Sequence, residues 1–190
     1  MHEQLSQYIT SQIKVNEEEL RTILSYFKPL TLTKNELVVT HGQTSQRTYF
    51  VGKGCLRVCF IDEKGQEATR YFAFENQFAT ALVSFITSEP SEEFIQAVEP
   101  TELLYISHTD FHQLLDTIPQ WEKFYRYYLE KAYVNNTKRL MSFLIQDAAE
   151  KYRLLLAENP VIVRRLSNKL VASYLNISQE TLSRLKARVK

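Results

Sequence analysis

The chain has 190 residues, 44% of them hydrophobic, and 23 Lys+Arg balance 22 Asp+Glu to a net charge of +1. That length suits one sizeable core with a small appendage. The chain has no run near the roughly 18 apolar residues of a membrane helix, and it opens on the polar, amphipathic MHEQLSQYIT rather than a basic and then apolar export signal. A water-soluble, unexported, cytoplasmic protein is expected. Its two cysteines, Cys55 and Cys59, would stand about 13 Å apart in an extended strand, beyond disulfide reach, and are read as small core residues in a reducing compartment.

Residues 16–27, NEEELRTILSYF, predict a short packed helix: Asn16 is a helix-capping type, acids fill the first turn, and Leu20, Ile23, Leu24 and Phe27 share one face. From Pro29 to about Ser107 the pattern turns to short alternating runs (ELVVT, TYFVGKGCLRVCFI, EATRYFAF, FIQAV, ELLYIS) separated by turn residues. Many short strands with no long helix between them predict an antiparallel jelly roll or barrel. Asp62 to Gln66 is read as a hairpin turn with Gly65 at positive φ, and FATALVSFIT (78–87) as a short helix.

After Ser107 the periodicity is helical. Ser107 and Asp110 have capping-box spacing, and Pro119 fits the first turn of a long helix running to about Gln146, roughly 40 Å. Trp121, Phe124, Tyr125, Tyr128 and Ala132 form one stripe, suited to packing on the barrel. Leu129, Tyr133, Asn136, Leu140 and Phe143 follow 4-3-4-3 spacing, which suits the seam of a homodimer with Asn136 setting register; burial within one chain is the competing use of both stripes. Asp147 and Glu150 form a second capping box, so a new helix should start at Ala148 and reach about Ala157, leaving a hinge at Asp147; Asn159-Pro160 then stops it.

Residues 164–190 carry seven Lys/Arg (Arg164, Arg165, Lys169, Arg184, Lys186, Arg188, Lys190) against Glu180, a balance of +6 that leaves −5 for the rest. A basic end on an acidic body points to nucleic acid. Within it, Ser167 caps one helix whose apolar face is Leu170, Val171, Tyr174 and Leu175. Asn176 suits a left-handed turn, Ser178 caps a second helix, Ala172 is small where two helices cross, and Ile177, Leu182 and Leu185 supply the core between them. This spacing predicts a helix-turn-helix. On the outer face of its second helix, Gln179, Glu180, Ser183 and Arg184 are the candidates for reading bases of double-stranded DNA in the major groove. Ser167, Lys169, Ser178, Thr181, Lys186 and Arg188 are the candidates for phosphates.

The whole chain resembles the Crp/Fnr family of bacterial transcription regulators. Tyr49-Phe50-Val51-Gly52-Lys53-Gly54-Cys55-Leu56-Arg57-Val58 is similar to the family's "aromatic, aromatic, V/I, x, x, G, x, x, R, V" strand pair, and Ser178-Gln179-Glu180-Thr181-Leu182-Ser183-Arg184 to its recognition helix. The resemblance implies an α+β chain of three parts. They are a cyclic-nucleotide-binding-like jelly roll with flanking helices over residues 1–118, a long dimerisation helix over 119–146, and a helix-turn-helix domain over 147–190, which is short and departs from the family in leaving no room for the usual wing. It also implies a homodimer on a pseudo-palindromic site, with RNA polymerase as a further partner. The family's base-contacting positions fall on Gln179, where Arg is more usual, Glu180 and Arg184.

In relatives that bind cyclic nucleotides, a G-E-L turn and an R-S/T pair hold the ribose and the phosphate. Here the matching positions are Ala79-Thr80-Ala81 and Ser91-Glu92, so the Gly, Glu and Arg are missing and an anionic phosphate would face Glu92 and Glu93. The expectation is no cyclic AMP, with Thr80, Ala81, Ser91 and Glu92 lining a pocket for an unknown small effector, or hydroxyls there merely capping a short helix.

No cofactor or metal is expected: two cysteines are too few for an iron–sulfur cluster, and His2, His41, His108 and His112 lack the clustered H-x-H and Glu of a cupin-type metalloenzyme. With four glycines and no nucleophile motif, no catalytic residues are assigned and an enzyme is not expected. The rival to the regulator is a ligand-sensing or protein-interaction module that does not bind DNA.

Overall fold

The computed structural model describes residues 1–63 and 65–188. Lys64 of the hairpin turn and Lys190 of the basic tail lie outside the described residues. In chain order come α1 (His2–Gln12), α2 (Glu17–Ser25), β1 (Lys28–Leu32), β2 (Leu37–Val39), β3 (Arg47–Lys53), β4 (Leu56–Ile61), β5 (Glu67–Ala73), β6 (Phe78–Ala79), α3 (Leu82–Thr87), β7 (Phe94–Ala97) and β8 (Thr101–Ser107). There follow α4 (His108–Thr117), α5 (Pro119–Ile145), α6 (Ala148–Glu158), α7 (Pro160–Arg165), α8 (Asn168–Leu175) and α9 (Gln179–Arg188). They fall into two units: Met1–Cys59 with Phe72–Glu130, and Phe60–Tyr71 with Lys131–Lys190.

The first unit is built on two four-stranded sheets, ordered β1-β8-β3-β6 and β2-β7-β4-β5. The antiparallel registers include Tyr49 opposite Tyr105 and Val58 opposite Ile95. The alternating runs of the sequence place Phe50, Leu104 and Ile106 inward, fully buried. Gly54, at φ +98, makes the turn from β3 to β4, where an added Cβ would lie 2.8 Å from the Pro100 carbonyl oxygen and the Thr101 Cα. Only glycine fits there. At the β4–β5 turn Gly65, at φ 74, donates to the Asp62 carbonyl at 2.9 Å, as its sequence predicts.

Helices close the core. Asn16 caps α2 as expected, and the structure adds a capping box with Glu19; Ser107 caps α4 by accepting from the Asp110 amide at 3.0 Å. Phe27, Phe78, Phe85, Phe111, Trp121 and Phe124 make an aromatic centre joined by Leu5 and Ile9 of α1. The rings of Trp121 and Phe124 stack at 4.9 Å between centroids, and Phe50 meets Phe78 at 5.2 Å. Each such side chain contributes about 1.5–3 kcal/mol by leaving water. Trp121 Nε1 is buried and has no hydrogen-bond partner among the described residues. Cys55 and Cys59 are buried thiols of the core.

Three elements depart from the sequence reading. The polar opening segment forms α1, whose Leu5 and Ile9 are four residues apart and bury one stripe. Phe78 and Ala79 pair with Phe50 and Tyr49 as a two-residue strand, so the helix expected over 78–87 begins only at Leu82. Pro160 does not simply stop a helix: it takes the first position of α7, where its missing N–H costs nothing.

In the second unit, α6 is capped by Asp147 and Glu150 in the predicted box. Tyr152, Leu155, Ile162, Leu166, Val171, Ala172, Leu175, Leu182 and Leu185 are buried on α6 to α9 and the turns that join them. The same unit includes the end of the β4–β5 hairpin.

Candidate nucleic-acid interface

The geometry of α8 and α9 follows from three short polar devices and one apolar seam. Ser167 accepts from the Leu170 amide at 3.4 Å and starts α8. Asn176 ends it in the left-handed conformation, φ 52 and ψ 51, its N–H returning to the Ala172 and Ser173 carbonyls. Ser178 then accepts from the Thr181 amide at 3.1 Å and starts the next helix. Val171, Ala172 and Leu175 on one side and Leu182 and Leu185 on the other bury the seam, while Ile177 in the turn is half-buried. A helix, a tight turn and a second helix result, as the sequence predicts.

Gln179, Glu180, Ser183 and Arg184 are all exposed on α9. They are one to two turns from its N-terminus, where the helix dipole and free N–H groups favour an anionic partner. Arg184 donates to the Thr181 hydroxyl at 3.3 Å, so its guanidinium is drawn back toward that end. Of the phosphate candidates, Ser167 and Ser178 serve as caps, Thr181 is half-buried beside Ser178 at 3.0 Å, and Arg188 is exposed. Lys186 reaches Asn168 at 2.6 Å and so ties α9 to the first turn of α8. Lys169 pairs with Glu67 of the hairpin at 3.2 Å.

The hairpin contact was invisible in the sequence. Ser173 of α8 donates to the Glu67 carbonyl at 2.7 Å and accepts from the Thr69 amide at 3.0 Å. Its only hydrogen is thereby used, so the Thr69 hydroxyl, 2.8 Å away, is the donor in their mutual contact. Arg139 of α5 bridges the same pair of segments, donating to the carbonyls of Thr69 at 2.8 Å and Tyr174 at 2.6 Å. These partners lie 35 to 106 residues apart, and no local pattern announces them.

The expected dimer stripe divides. Tyr133 is 73% exposed and Leu140 58%, and Asn136 is exposed as well. Leu129 and Phe143 are half-buried, and the Phe143 ring is covered by Arg139 at 4.8 Å and Lys151 at 5.1 Å. Leu144, outside the expected stripe, is 74% exposed, and Met141 and Ile145 are exposed beside it.

Each of the four residues expected to line an effector pocket has its own surroundings. Thr80 borders a small apolar cavity with Thr48, Phe78, Leu82, Phe85, Phe111, Phe124, Tyr125 and Tyr128. Ala81 is the residue before α3 and is buried. Ser91 is buried and bonds across its own turn, accepting from the Glu93 amide at 3.0 Å. Glu92 points outward and pairs with His41 at 3.2 Å. The rings of His108 and His112 lie 4.0 Å apart between centroids, tilted by 32°, with His112 Nδ1 2.8 Å from the His108 carbonyl. Among the described residues no three His, Cys, Asp or Glu side chains gather as a metal site would need.

Residues 29–118 match the family model described as the cyclic nucleotide-binding domain. The global nitrogen regulator of Nostoc sp. (strain PCC 7120 / SAG 25.82 / UTEX 2576) is 25% identical over 169 residues, covering 82% of this chain and 75% of the relative. Among solved structures, the c-di-GMP-responsive global regulator CLP of Xanthomonas campestris superposes with a TM-score of 0.73 at 17% identity, over 92% of this chain and 91% of that one. FixK2 of Bradyrhizobium japonicum superposes at 0.72 and 16% identity, over 86% and 84%. The fold shared with these structures is the cyclic-nucleotide-binding jelly roll with a helical C-terminal region.

Proposed function

We propose that the chain is a cytoplasmic, DNA-binding transcription regulator that works as a homodimer and recruits or hinders RNA polymerase at its sites. The observation that carries this is α9: a short helix fixed by Leu182 and Leu185, with Gln179, Glu180, Ser183 and Arg184 all exposed and basic residues in its last turn. These side chains suit base edges. Arg pairs bidentately with guanine, Gln with adenine, and Glu accepts from the cytosine amino group, each good pair discriminating by about 1–3 kcal/mol. Lys169, Lys186, Arg188 and the hydroxyls of Ser167, Ser178 and Thr181 suit the backbone around them.

Division into a jelly roll over 1–118, a dimer helix over 119–146 and a DNA-binding part over 147–190 fits this role. Exposed apolar residues on the dimer helix, Tyr133, Leu140 and Leu144 among them, support pairing. A two-fold dimer would read a pseudo-palindrome with half-sites about one helical turn, roughly 34 Å, apart. With no Arg at the pair position to neutralise a cyclic phosphate, this reading assigns control to a small effector other than cyclic AMP.

The test is selection of duplexes from a random library with the full chain, followed by titration over a salt range. A two-fold symmetric consensus is expected, with affinity falling steeply with salt. Arg184→Ala should relax preference at one base pair of each half-site. Recovery of no enriched sequence at low salt would leave the rival reading, a sensing module that does not bind DNA.

A further inference from the structure

The hairpin end meets α8 through a set of polar contacts, beside the Arg139 bridge to the Thr69 and Tyr174 carbonyls. Glu67 pairs with Lys169, and the single hydroxyl of Ser173 engages the Glu67 carbonyl, the Thr69 amide and the Thr69 hydroxyl at 2.7 to 3.0 Å. The apolar residues of the same hairpin, Phe60 and Ile61, stay 38% and 44% exposed instead of sealing the contact. The hydroxyl bonds of Ser173 and the surface pair of Lys169 each contribute only modestly, so this part of the contact is of the kind that opens locally without global unfolding.

Its position matters because Lys169 stands in the first turn of α8, where a phosphodiester would meet the helix N-terminus. The Glu67 carboxylate already occupies the ammonium group at 3.2 Å. A phosphate arriving there would lie against a like charge, so hairpin-bound and phosphate-bound Lys169 exclude one another. We propose that the end of the β4–β5 hairpin is an intrachain latch that competes with the DNA backbone for α8, restraining DNA binding until it opens. The inference rests on the regulator reading above.

Two variants of the full chain move the latch in opposite directions without changing net charge. Thr69→Val with Ser173→Ala removes the hydroxyls that close it. Thr69→Cys with Ser173→Cys replaces two oxygens 2.8 Å apart by thiols near enough to form a disulfide, while Cys55 and Cys59 are buried away from reagent. Binding to a fluorescein-labelled duplex of mixed sequence, about 40 base pairs long, is read by anisotropy at low salt, where phosphate contacts dominate.

The opened variant should bind about fivefold to tenfold tighter than the native chain. The oxidised cysteine variant should bind at least about tenfold weaker than the same protein after dithiothreitol. Equal or weaker binding by the opened variant, or equal binding by oxidised and reduced cysteine forms, overturns the latch and leaves the regulator reading standing. Failure of native, opened and reduced proteins alike to bind duplex removes the regulator reading, and the latch falls with it.

Discussion

Arg139 donates to the Tyr174 carbonyl oxygen at 2.6 Å while its guanidinium carbon lies 3.9 Å from the centre of the Tyr174 ring. The other face of the cation looks to Phe143, and the same terminal nitrogen also reaches the Thr69 carbonyl. A planar donor that stacks and bridges two carbonyls uses features lysine does not have. Burial pulls the Arg139 pKa below its ordinary value, yet a guanidinium stays charged at any physiological pH. Arg139→Ala should therefore cost about 2–4 kcal/mol, from lost charged hydrogen bonds and stacking, and Arg139→Lys should recover less than half of it. Urea unfolding of the full chain decides this, and a lysine variant as stable as native would show that only the charge counts.

Asn176 sets the angle between α8 and α9 through one backbone conformation, φ 52 and ψ 51. Asparagine tolerates that region better than other residues with a Cβ, and glycine has no penalty there at all. Asn176→Ala is expected to lose about 1 kcal/mol of stability and to weaken duplex binding, whereas Asn176→Gly should keep both within about 0.5 kcal/mol of native. The pair is checked by thermal melts and anisotropy on the same preparations. Indifference to alanine would mean the turn is not held by this residue.

His108 packs edge-on to Phe85 at 5.0 Å and lies against His112. Burial, and then the neighbouring His112, lower its pKa, partly offset by a hydrogen bond with the Phe85 backbone. The unfolded chain, with an ordinary histidine near pH 6.5, then binds the proton more readily than the folded one. The stability tied to His108 is thus fully present above about pH 6.5 and is lost as pH falls through its lowered folded value. Urea midpoints at about pH 7.5 and 5 should fall further for the native chain than for His108→Gln, and equal declines would assign the pH dependence elsewhere.

Much of this architecture is legible along the chain because it is local. Caps at Asn16, Ser107, Asp147, Ser167 and Ser178, the alternation of the strands, and the left-handed Asn176 each depend on residues within four positions of one another. The base-reading face is legible for the same reason: Gln179, Glu180, Ser183 and Arg184 share one helical surface at helical spacing. What the pattern could not supply is long-range. Lys169 reads as a free cation until Glu67, 102 residues away, is folded beside it. Ser91 and Glu92 read as pocket residues by position in a motif, but the chain turns between them, burying one hydroxyl and sending the next carboxylate to His41. The helix α7 was hidden because Asn-Pro stops one helix and starts another equally well.

The long helix shows the same limit and yields the sharpest test of association. A 4-3-4-3 count assigns Phe143 to the seam, but Arg139 and Lys151 cover its ring, and the neighbouring Leu144 is the one left open. Tyr133, Leu140 and Leu144, seven and then four residues apart, form the exposed line, flanked by Met141 and Ile145. Leu140→Glu with Leu144→Glu places two like charges from each chain across a two-fold interface and should yield monomers at micromolar concentration by sedimentation equilibrium. Phe143→Glu acts within one chain instead: it should lower the urea midpoint by removing the surface under Arg139, while the folded fraction still dimerises. If Phe143→Glu gives a folded monomer and the leucine pair stays dimeric, the helices pair through the other stripe.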